Sequence, residues 1–190
     1  MPVLIVHTTA RESSVEIAQQ IADRLVKSGF AVSVHPIRKV ESIQSAQPVV
    51  LGNAVYEREW LPEAFEFIRK FSVELARSPV WLFSDGPKGG SSSSPRVVSL
   101  VAHDSNSRAG IAAACDTIHA RDHRYFSGEF QRHTGSRLGD LFSKVCGGAP
   151  ADRRDWREIN EFAAEIAREL QRFDHLKERR RLHLSVRGRP

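Results

Sequence analysis

The apolar and polar positions of the first 35 residues follow two different periods. Residues 3–6 (VLIV) are continuously apolar, which is typical of a strand buried on both faces. Apolar side chains then recur three or four positions apart, which predicts a helix that stops at Gly29. The predicted inner stripe of this helix is Val15, Ala18, Ile21, Ala22 and Leu25. Residues 31–35 alternate as a half-buried strand does, so the opening segment is predicted to be β-α-β.

Three further helices are predicted from the same helical spacing. Pro62 suits the first turn of a helix, because its missing N–H would have no partner there in any case. The apolar stripe of that helix is Leu61, Ala64, Phe65, Ile68, Phe71 and Leu75. Residues 107–117 predict a second helix, and Asp155 with Glu158 forms a capping-box-like pair at the start of the last one. The apolar face of the last helix is Ile159, Phe162, Ala163, Ile166, Ala167, Leu170 and Phe173.

Three more strands complete the predicted sheet. Residues 48–52 and 79–83 are short apolar runs, and residues 123–128 are a more polar candidate for the fifth strand. Five strands that alternate with helices predict an α/β fold, because right-handed crossovers place helices on both faces of a mostly parallel sheet. We therefore expect a doubly wound, five-stranded parallel sheet with the strand order 2-1-3-4-5.

A ligand site is expected at one edge of this sheet. In open parallel sheets, ligands bind outside the carboxyl ends of the strands, where the strand order reverses. In the order 2-1-3-4-5 this point lies between the first and third strands. The loops to inspect are therefore 8–14, 53–60 and 84–95.

Composition and charge narrow the class of protein. A chain of 190 residues, 41% of them hydrophobic, can fill the core of one domain. Residues 174–190 hold six Lys or Arg and two acidic residues, and so carry four of the five net positive charges. We predict a domain over 1–173 and a basic C-terminal tail over 174–190. A solvated terminus is the favoured interpretation of the tail, and contact with nucleic acid or an anionic membrane is the weaker one.

Cysteine and histidine positions argue against a metal site. Cys115 and Cys146 stand far apart, match no metal-ligand spacing and favour a reducing compartment. The histidines are scattered without ligand spacing.

No apolar run approaches the roughly 20 residues that span a bilayer, and no leader precedes the first strand. We expect a cytoplasmic protein.

The first loop, within VHTTARESSVEIA, has the groups that a phosphate needs. Thr8, Thr9, Ser13 and Ser14 supply hydroxyls, and the start of a helix supplies unpaired N–H groups and a favourable dipole. Ser13 with Glu16 also has capping-box spacing, and a serine that caps a helix needs no ligand. The residues alone favour neither interpretation.

The other two loops can contact a planar ring. Tyr56 and Trp60 follow the third strand, and aromatic faces there can stack on a ring system. For Trp60, packing under the following helix is the favoured alternative. Residues 84–87 can present backbone groups to a ring edge or form a simple turn.

Together these residues resemble flavodoxin-like domains, and more closely the group that includes menaquinone-dependent protoporphyrinogen oxidase and related bacterial flavodoxin-domain proteins. The resemblance covers about residues 3–173. Its first marker is the strand-loop-helix at residues 3–27. The others are residues 50–56 with Trp60, 80–84 with Gly86 and Pro87, 123–126 with Gly128, and 154–156.

The resemblance implies non-covalent FMN and electron transfer between an electron donor and an acceptor. Carried over by position, one group of residues would hold the FMN phosphate: Thr9, Ser13 and Ser14. A second group would flank one side of the isoalloxazine: Asn53, Ala54 and Tyr56. A third would approach its other side: Ser84, Asp85 and Gly86. The flavin would supply the redox chemistry, so no catalytic acid or base is demanded. A homodimer is compatible with this fold.

The phosphate loop departs from the flavodoxin pattern Thr/Ser-x-Thr-Gly-x-Thr. Arg11 replaces the middle threonine and Glu12 replaces the glycine. A carboxylate about 6 Å from a phosphate would cost on the order of 3 kcal/mol at an effective dielectric near 20. Arg11 can offset this cost by pairing with Glu12 or by contacting the phosphate.

Two hypotheses follow for the function. The first is an FMN-dependent oxidoreductase or electron carrier, with protoporphyrinogen oxidation as one activity in that class. The second is a flavin-free binding module that lost FMN through Glu12.

Overall fold

The computed structural model describes residues 2–9, 12–56, 59–86, 105–127 and 155–187. At residues 56, 59, 105–109, 127 and 176–187 it describes the backbone alone.

Five parallel strands form the sheet, in the spatial order β2-β1-β3-β5-β6. They are β1 (Val3–His7), β2 (Val32–Pro36), β3 (Val49–Tyr56), β5 (Val80–Gly86) and β6 (Asp122–Ser127). A two-residue strand, β4 (Glu59–Trp60), pairs antiparallel with the end of β3. Counted without β4, the order is 2-1-3-4-5, so the predicted topology is confirmed.

Helices cover both faces of the sheet, as predicted. One face packs against α1 (Glu12–Lys27) and α5 (Trp156–Arg187). The other packs against α2 (Pro62–Lys70), α3 (Ser72–Ala76), α4 (Ser105–Thr117) and a 3₁₀ turn (Ile37–Lys39). Alternate residues along each strand contribute side chains to two apolar cores, one on each face of the sheet, because successive side chains of a strand point to opposite faces.

Local signals set the ends of several helices. Gly29 has φ of 91°, and its N–H donates to the Val26 carbonyl at 2.9 Å, which closes α1 as predicted. Pro62 is in the first turn of α2. The Asp155 carboxylate accepts from the N–H groups of Arg157 and Glu158 at 3.1 and 3.2 Å, so the predicted cap of α5 is confirmed.

The inner stripe of α1 differs from the prediction at one position. Val15 is 37% exposed, while Ser14 is fully buried. Ser14 is three and four residues before Ile17 and Ala18, and therefore continues the buried stripe by one turn. The pattern missed it because a serine does not register as an apolar position.

Two other elements differ from the sequence-based boundaries. The helix predicted from Leu61 to Leu75 is interrupted at Phe71, and Phe67 is buried while Phe65 is only partly so. Strands β3 and β5 extend through Tyr56 and Gly86, into two of the predicted loops. The two strands keep pairing in parallel register to Ala54 and Asp85. Beyond these residues, β3 pairs with β4 as far as Tyr56, and β5 pairs with β6 as far as Gly86.

Helix α5 continues beyond Phe173 to Arg187 without interruption. The division into a domain at 1–173 and a tail at 174–190 stays a prediction. Within the described ranges, no helix combines the length and apolar character that a bilayer crossing requires.

Candidate functional site

The ends of β1 and β3 are joined by Thr8 at the predicted switch point. The Thr8 N–H donates to the Gly52 carbonyl at 3.1 Å. Its hydroxyl oxygen accepts from the Ala54 N–H at 2.9 Å. Thr8 and Ala54 are both buried. The fully buried Thr8 side chain is therefore committed to the sheet and does not face a ligand.

The start of α1 is joined to the end of β5 by a buried carboxylate. Ser13 and Ser14 both donate their hydroxyl protons to Asp85 Oδ2, the Ser14 bond measuring 2.9 Å. Asp85 and Ser14 are fully buried, and Ser13 nearly so. Two hydroxyl donors and the positive end of a helix dipole make this burial tolerable for a carboxylate. The structure thus brings together three of the predicted site residues, but through contacts with one another.

The capping-box interpretation of Ser13 is not what the structure shows. Helix α1 begins at Glu12, so Ser13 lies inside the first turn, and its hydroxyl bonds to Asp85. Glu12 and Thr9 are exposed at this end of the helix. Arg11 lies outside the described residues.

Asn53 is a fully buried amide without a hydrogen-bond partner among the described residues. It pairs in register with Ser84 on β5, and it has no accessible surface. Within the described part of the chain, neither its Nδ2 nor its Oδ1 has a partner. Buried polar side-chain atoms nearly always have a partner, so this amide is an exception among the described residues.

Ser84 belongs to a hydrogen-bonded group on the α2 side of the sheet. Trp60 Nε1 donates to Ser84 Oγ at 2.9 Å, and Ser84 Oγ shares a 2.8 Å hydrogen bond with His123 Nε2. The Trp60 ring meets His123 edge-on at 5.4 Å and lies 5.6 Å from Phe65 of α2. Trp60 is buried, so its favoured role, packing under the following helix, is confirmed.

His123 was not among the predicted site residues. Its Nδ1 is buried without a partner in the described structure, although the residue as a whole keeps some exposure. Loss of hydration lowers the pKa of His123 from 6.5 to about 4, so the ring is neutral at physiological pH. Its signals in the sequence were its position on a polar strand and its place among the markers of the resemblance at 123–126, and neither identifies a contact with Ser84.

Two further predicted site residues, Gly86 and Tyr56, lie at the ends of β5 and β3. A Cβ added at Gly86 would lie 2.5 Å from the Tyr125 hydroxyl oxygen and 3.0 Å from Val55 Cβ, so close packing alone favours glycine there. The backbone of Tyr56 ends β3, while its side chain is not described.

Other chemistries find no support in the described part of the molecule. No three His, Cys, Asp or Glu side chains come together there as metal ligands would. Cys115 is a free, half-buried thiol, and burial raises its pKa to about 11, so it is not a thiolate nucleophile at neutral pH. Cys146 lies outside the described residues.

Comparison with known proteins agrees with this architecture. A family model described as a flavodoxin domain matches residues 4–95. The chain has a flavodoxin-like fold. No curated protein matches it significantly in sequence.

Solved structures extend the likeness of this flavodoxin-like domain to most of the chain. A short-chain flavodoxin associated with a non-canonical PDU bacterial microcompartment superimposes with a TM-score of 0.58 at 13% identity, over 89% of this chain and 98% of its own. A flavodoxin from the domain Archaea gives 0.56 at 12% identity, over 90% and 99%. A flavodoxin of Fusobacterium nucleatum bound to flavin mononucleotide gives 0.50 at 14% identity, over 88% and 98%. At these identities the likeness establishes the fold.

The flavodoxin-like domain fits the two halves of FMN unequally. Among the described residues, the Asn53 amide has an unpaired donor and an unpaired acceptor of the kind that the edge of a flavin ring uses, and contact with a ring requires this buried amide to become accessible. The Ser13 and Ser14 hydroxyls, which would hold the phosphate, donate their protons to Asp85 Oδ2 instead. Asn53, Ser13 and Ser14 therefore fit the ring of FMN better than they fit the phosphate of FMN.

Proposed function

We propose that this protein is a flavodoxin-type electron-transfer protein that binds a flavin, FMN in the first instance, at the carboxyl edge of its sheet. The observation that carries the proposal is the Asn53 amide, which is fully buried at the switch point and has no hydrogen-bond partner among the described residues. The flavodoxin-like fold adds support, since ligands of such sheets bind at this point.

In this proposal the bound flavin supplies the redox chemistry, and the chain positions it. Asn53 hydrogen-bonds the ring edge, and the ends of β3 and β5 flank the ring with Ala54, Tyr56, Ser84 and Gly86. Thr9 is proposed for the phosphate end, with Arg11, which lies outside the described residues, as a second candidate. His123 stays neutral and hydrogen-bonds the Ser84 hydroxyl, so no acid-base step is assigned to it.

Flavin titration of the wild-type chain and of Asn53→Leu tests the proposal. An unpartnered buried amide costs about 1–3 kcal/mol, so a leucine of similar shape should raise the free energy of unfolding. The same change removes the hydrogen bonds to the ring and should weaken flavin binding by about tenfold or more. Flavin fluorescence quenching and urea denaturation measure the two effects.

Asn160→Ala is the matched control, since Asn160 bonds to Gln20 at 2.8 Å between α5 and α1. It should leave flavin affinity unchanged. The proposal fails if the wild-type chain quenches neither FMN nor riboflavin, or if Asn53→Leu leaves affinity intact.

A flavin-free binding module is the second candidate, favoured by the commitment of Ser13 and Ser14 to Asp85. In that case the pure protein is colourless and no added flavin is quenched. Glu12→Gly would then create FMN binding if Glu12 were the obstacle. Because Glu12 is exposed, water screens its charge, and we expect this substitution to have only a small effect.

A finer proposal concerns the reaction and its setting. We propose a cytoplasmic electron carrier that works between a separate donor and acceptor, with protoporphyrinogen oxidation as one oxidoreductase activity to be assayed. A flavin-loaded sample that oxidises protoporphyrinogen with a quinone acceptor would support this activity. A loaded sample that is inert in that assay would restrict the role to electron transfer.

A further inference from the structure

The two serines at the start of α1 have no hydroxyl protons left for a ligand. Each serine has one O–H donor, and both donate to the same oxygen, Asp85 Oδ2. A phosphate that approached these hydroxyls would meet their lone pairs. It could recover the protons only by displacing the carboxylate.

Asp85 also places a negative charge where a phosphate would be attracted. The first turn of α1 presents the positive end of its dipole, and the Asp85 carboxylate is bound against that turn through Ser13 and Ser14. Because Asp85 is fully buried, water does not screen its charge as it screens that of exposed Glu12. Asp85 is therefore the stronger of the two local obstacles to an anion.

We infer that Asp85 is a specificity-determining residue that replaces the ligand's phosphate, so that the site accepts an uncharged flavin such as riboflavin about as well as FMN. This inference rests on the proposed function, because it assumes that a flavin ring is bound. It assigns the buried carboxylate a role in ligand choice: the phosphate of FMN contributes little to affinity in this chain.

Titration of the full-length wild-type chain with FMN and with riboflavin is the first test. The two dissociation constants should lie within about threefold of each other, since a phosphate that gains no hydroxyl donor from Ser13 or Ser14 and lies beside the Asp85 carboxylate adds little. A preference for FMN of about thirtyfold or more would overturn the inference, because it would show that the phosphate is well bound beside Asp85.

Substitution of Asp85 gives the second test. Asp85→Ala frees both hydroxyls and removes the charge, and should tighten FMN binding by about tenfold or more while riboflavin changes by less than about threefold. Asp85→Asn removes the charge but keeps an acceptor for the serines, so its gain should be intermediate. Equal changes for both flavins, or no gain for FMN, would refute the role of Asp85.

Glu12→Ala is the matched control, since it removes an exposed carboxylate from the same end of α1. It should shift the ratio of FMN to riboflavin affinity by less than about threefold. A shift as large as that of Asp85→Ala would show that any carboxylate at this end of α1 has the effect, and not Asp85 in particular.

Inorganic phosphate separates this inference from the proposed function. If no flavin binds to any form of the chain, the proposed function fails. Phosphate should then still raise the melting temperature of Asp85→Ala and not that of the wild-type chain. Absence of that difference would overturn the inference as well.

Discussion

The Ser14 hydroxyl and the Asp85 carboxylate join two elements that are 71 residues apart in sequence. Both side chains are fully buried, so loss of the Ser14 hydroxyl removes one of the two serine donors to a buried carboxylate. This pair therefore contributes to the stability of the fold as well as to the electrostatics of the site.

Ser14→Ala should lower the free energy of unfolding by about 1.5–3 kcal/mol, the range for a hydrogen bond to a charged group. Ser28→Ala is the matched control, because the exposed Ser28 hydroxyl bonds only to the Arg24 carbonyl of its own helix. Its effect should stay within about 0.5 kcal/mol. Urea denaturation of the two variants compares them directly, and similar losses would contradict the role given to Asp85.

His123 should make the stability of the fold depend on pH. Its folded-state pKa is about 4, against 6.5 for the free group. Above pH 6.5 both states are neutral and the stability is fully present. As the pH falls from 6.5 to 4, the unfolded chain takes up a proton that the native chain does not, and up to about 3 kcal/mol is lost.

His123→Gln should therefore flatten the curve of unfolding free energy against pH within this window. His35→Gln, on an exposed histidine of β2, should leave the curve parallel to that of the wild type. Denaturation at a series of pH values measures both. A variant curve as steep as the wild-type one would assign the acid sensitivity to other groups.

The sequence contained the residues of the site but not their contacts. The three segments were predicted correctly to reach one edge, because strand order determines where strand ends meet. Whether a serine faces a ligand or a carboxylate depends on the rotation of α1 and on which face of β5 Asp85 occupies. Neither is encoded locally, since a shift by one residue in a strand exchanges its two faces.

At the scale of elements, β3 and β5 approach closely around Gly52. A Cβ added at Gly52 would overlap the Phe83 ring on the neighbouring strand. Phe83 is itself fully buried and packs 6.0 Å from the Phe126 ring, so it has little room to move.

Gly52→Ala should destabilise the fold by about 1–3 kcal/mol through overpacking. Gly110→Ala makes the same chemical change in helix α4, where the nearest atom to an added Cβ is 3.7 Å away on Phe65. It should stabilise by about 0.5–1 kcal/mol, because glycine is unfavourable inside a helix. Thermal unfolding of the pair should show opposite signs; two losses of equal size would contradict the packing argument.

Element types were more predictable than element ends. The periods of α1 and α5 and the apolar runs of β1, β3 and β5 were long enough to identify each element. The ends of β3 and β5 were not predictable, because Asn53 and Asp85 are turn-forming residues that remain in the sheet only through pairing across strands. Phe71, between α2 and α3, carried no breaker signal either.

At the scale of the whole molecule, the charge is concentrated at one end of the chain. The last described residue of α5 that is buried is Leu170, and Phe173 remains in contact with Arg121 at 4.3 Å. Residues 174–190 carry four of the five net positive charges.

Deletion of residues 174–190 should change the free energy of unfolding by less than about 0.5 kcal/mol, because the described core lies before this segment. Flavin affinity should also be unchanged. Any binding to DNA or anionic vesicles should disappear with the deletion and should weaken with salt in the full chain. Persistent salt-sensitive binding in the shortened chain would place the cationic surface elsewhere.

The hydroxyl of Thr8 stands in for a main-chain carbonyl at the point where β1 has ended. It accepts the Ala54 N–H at 2.9 Å and so lengthens the ladder between the two strands by one side chain. The Ala54 amide proton can then exchange with solvent only when the edge of the sheet opens. Hydrogen exchange at this one amide would report how often the crevice between β1 and β3 opens, and whether a bound ligand keeps it closed.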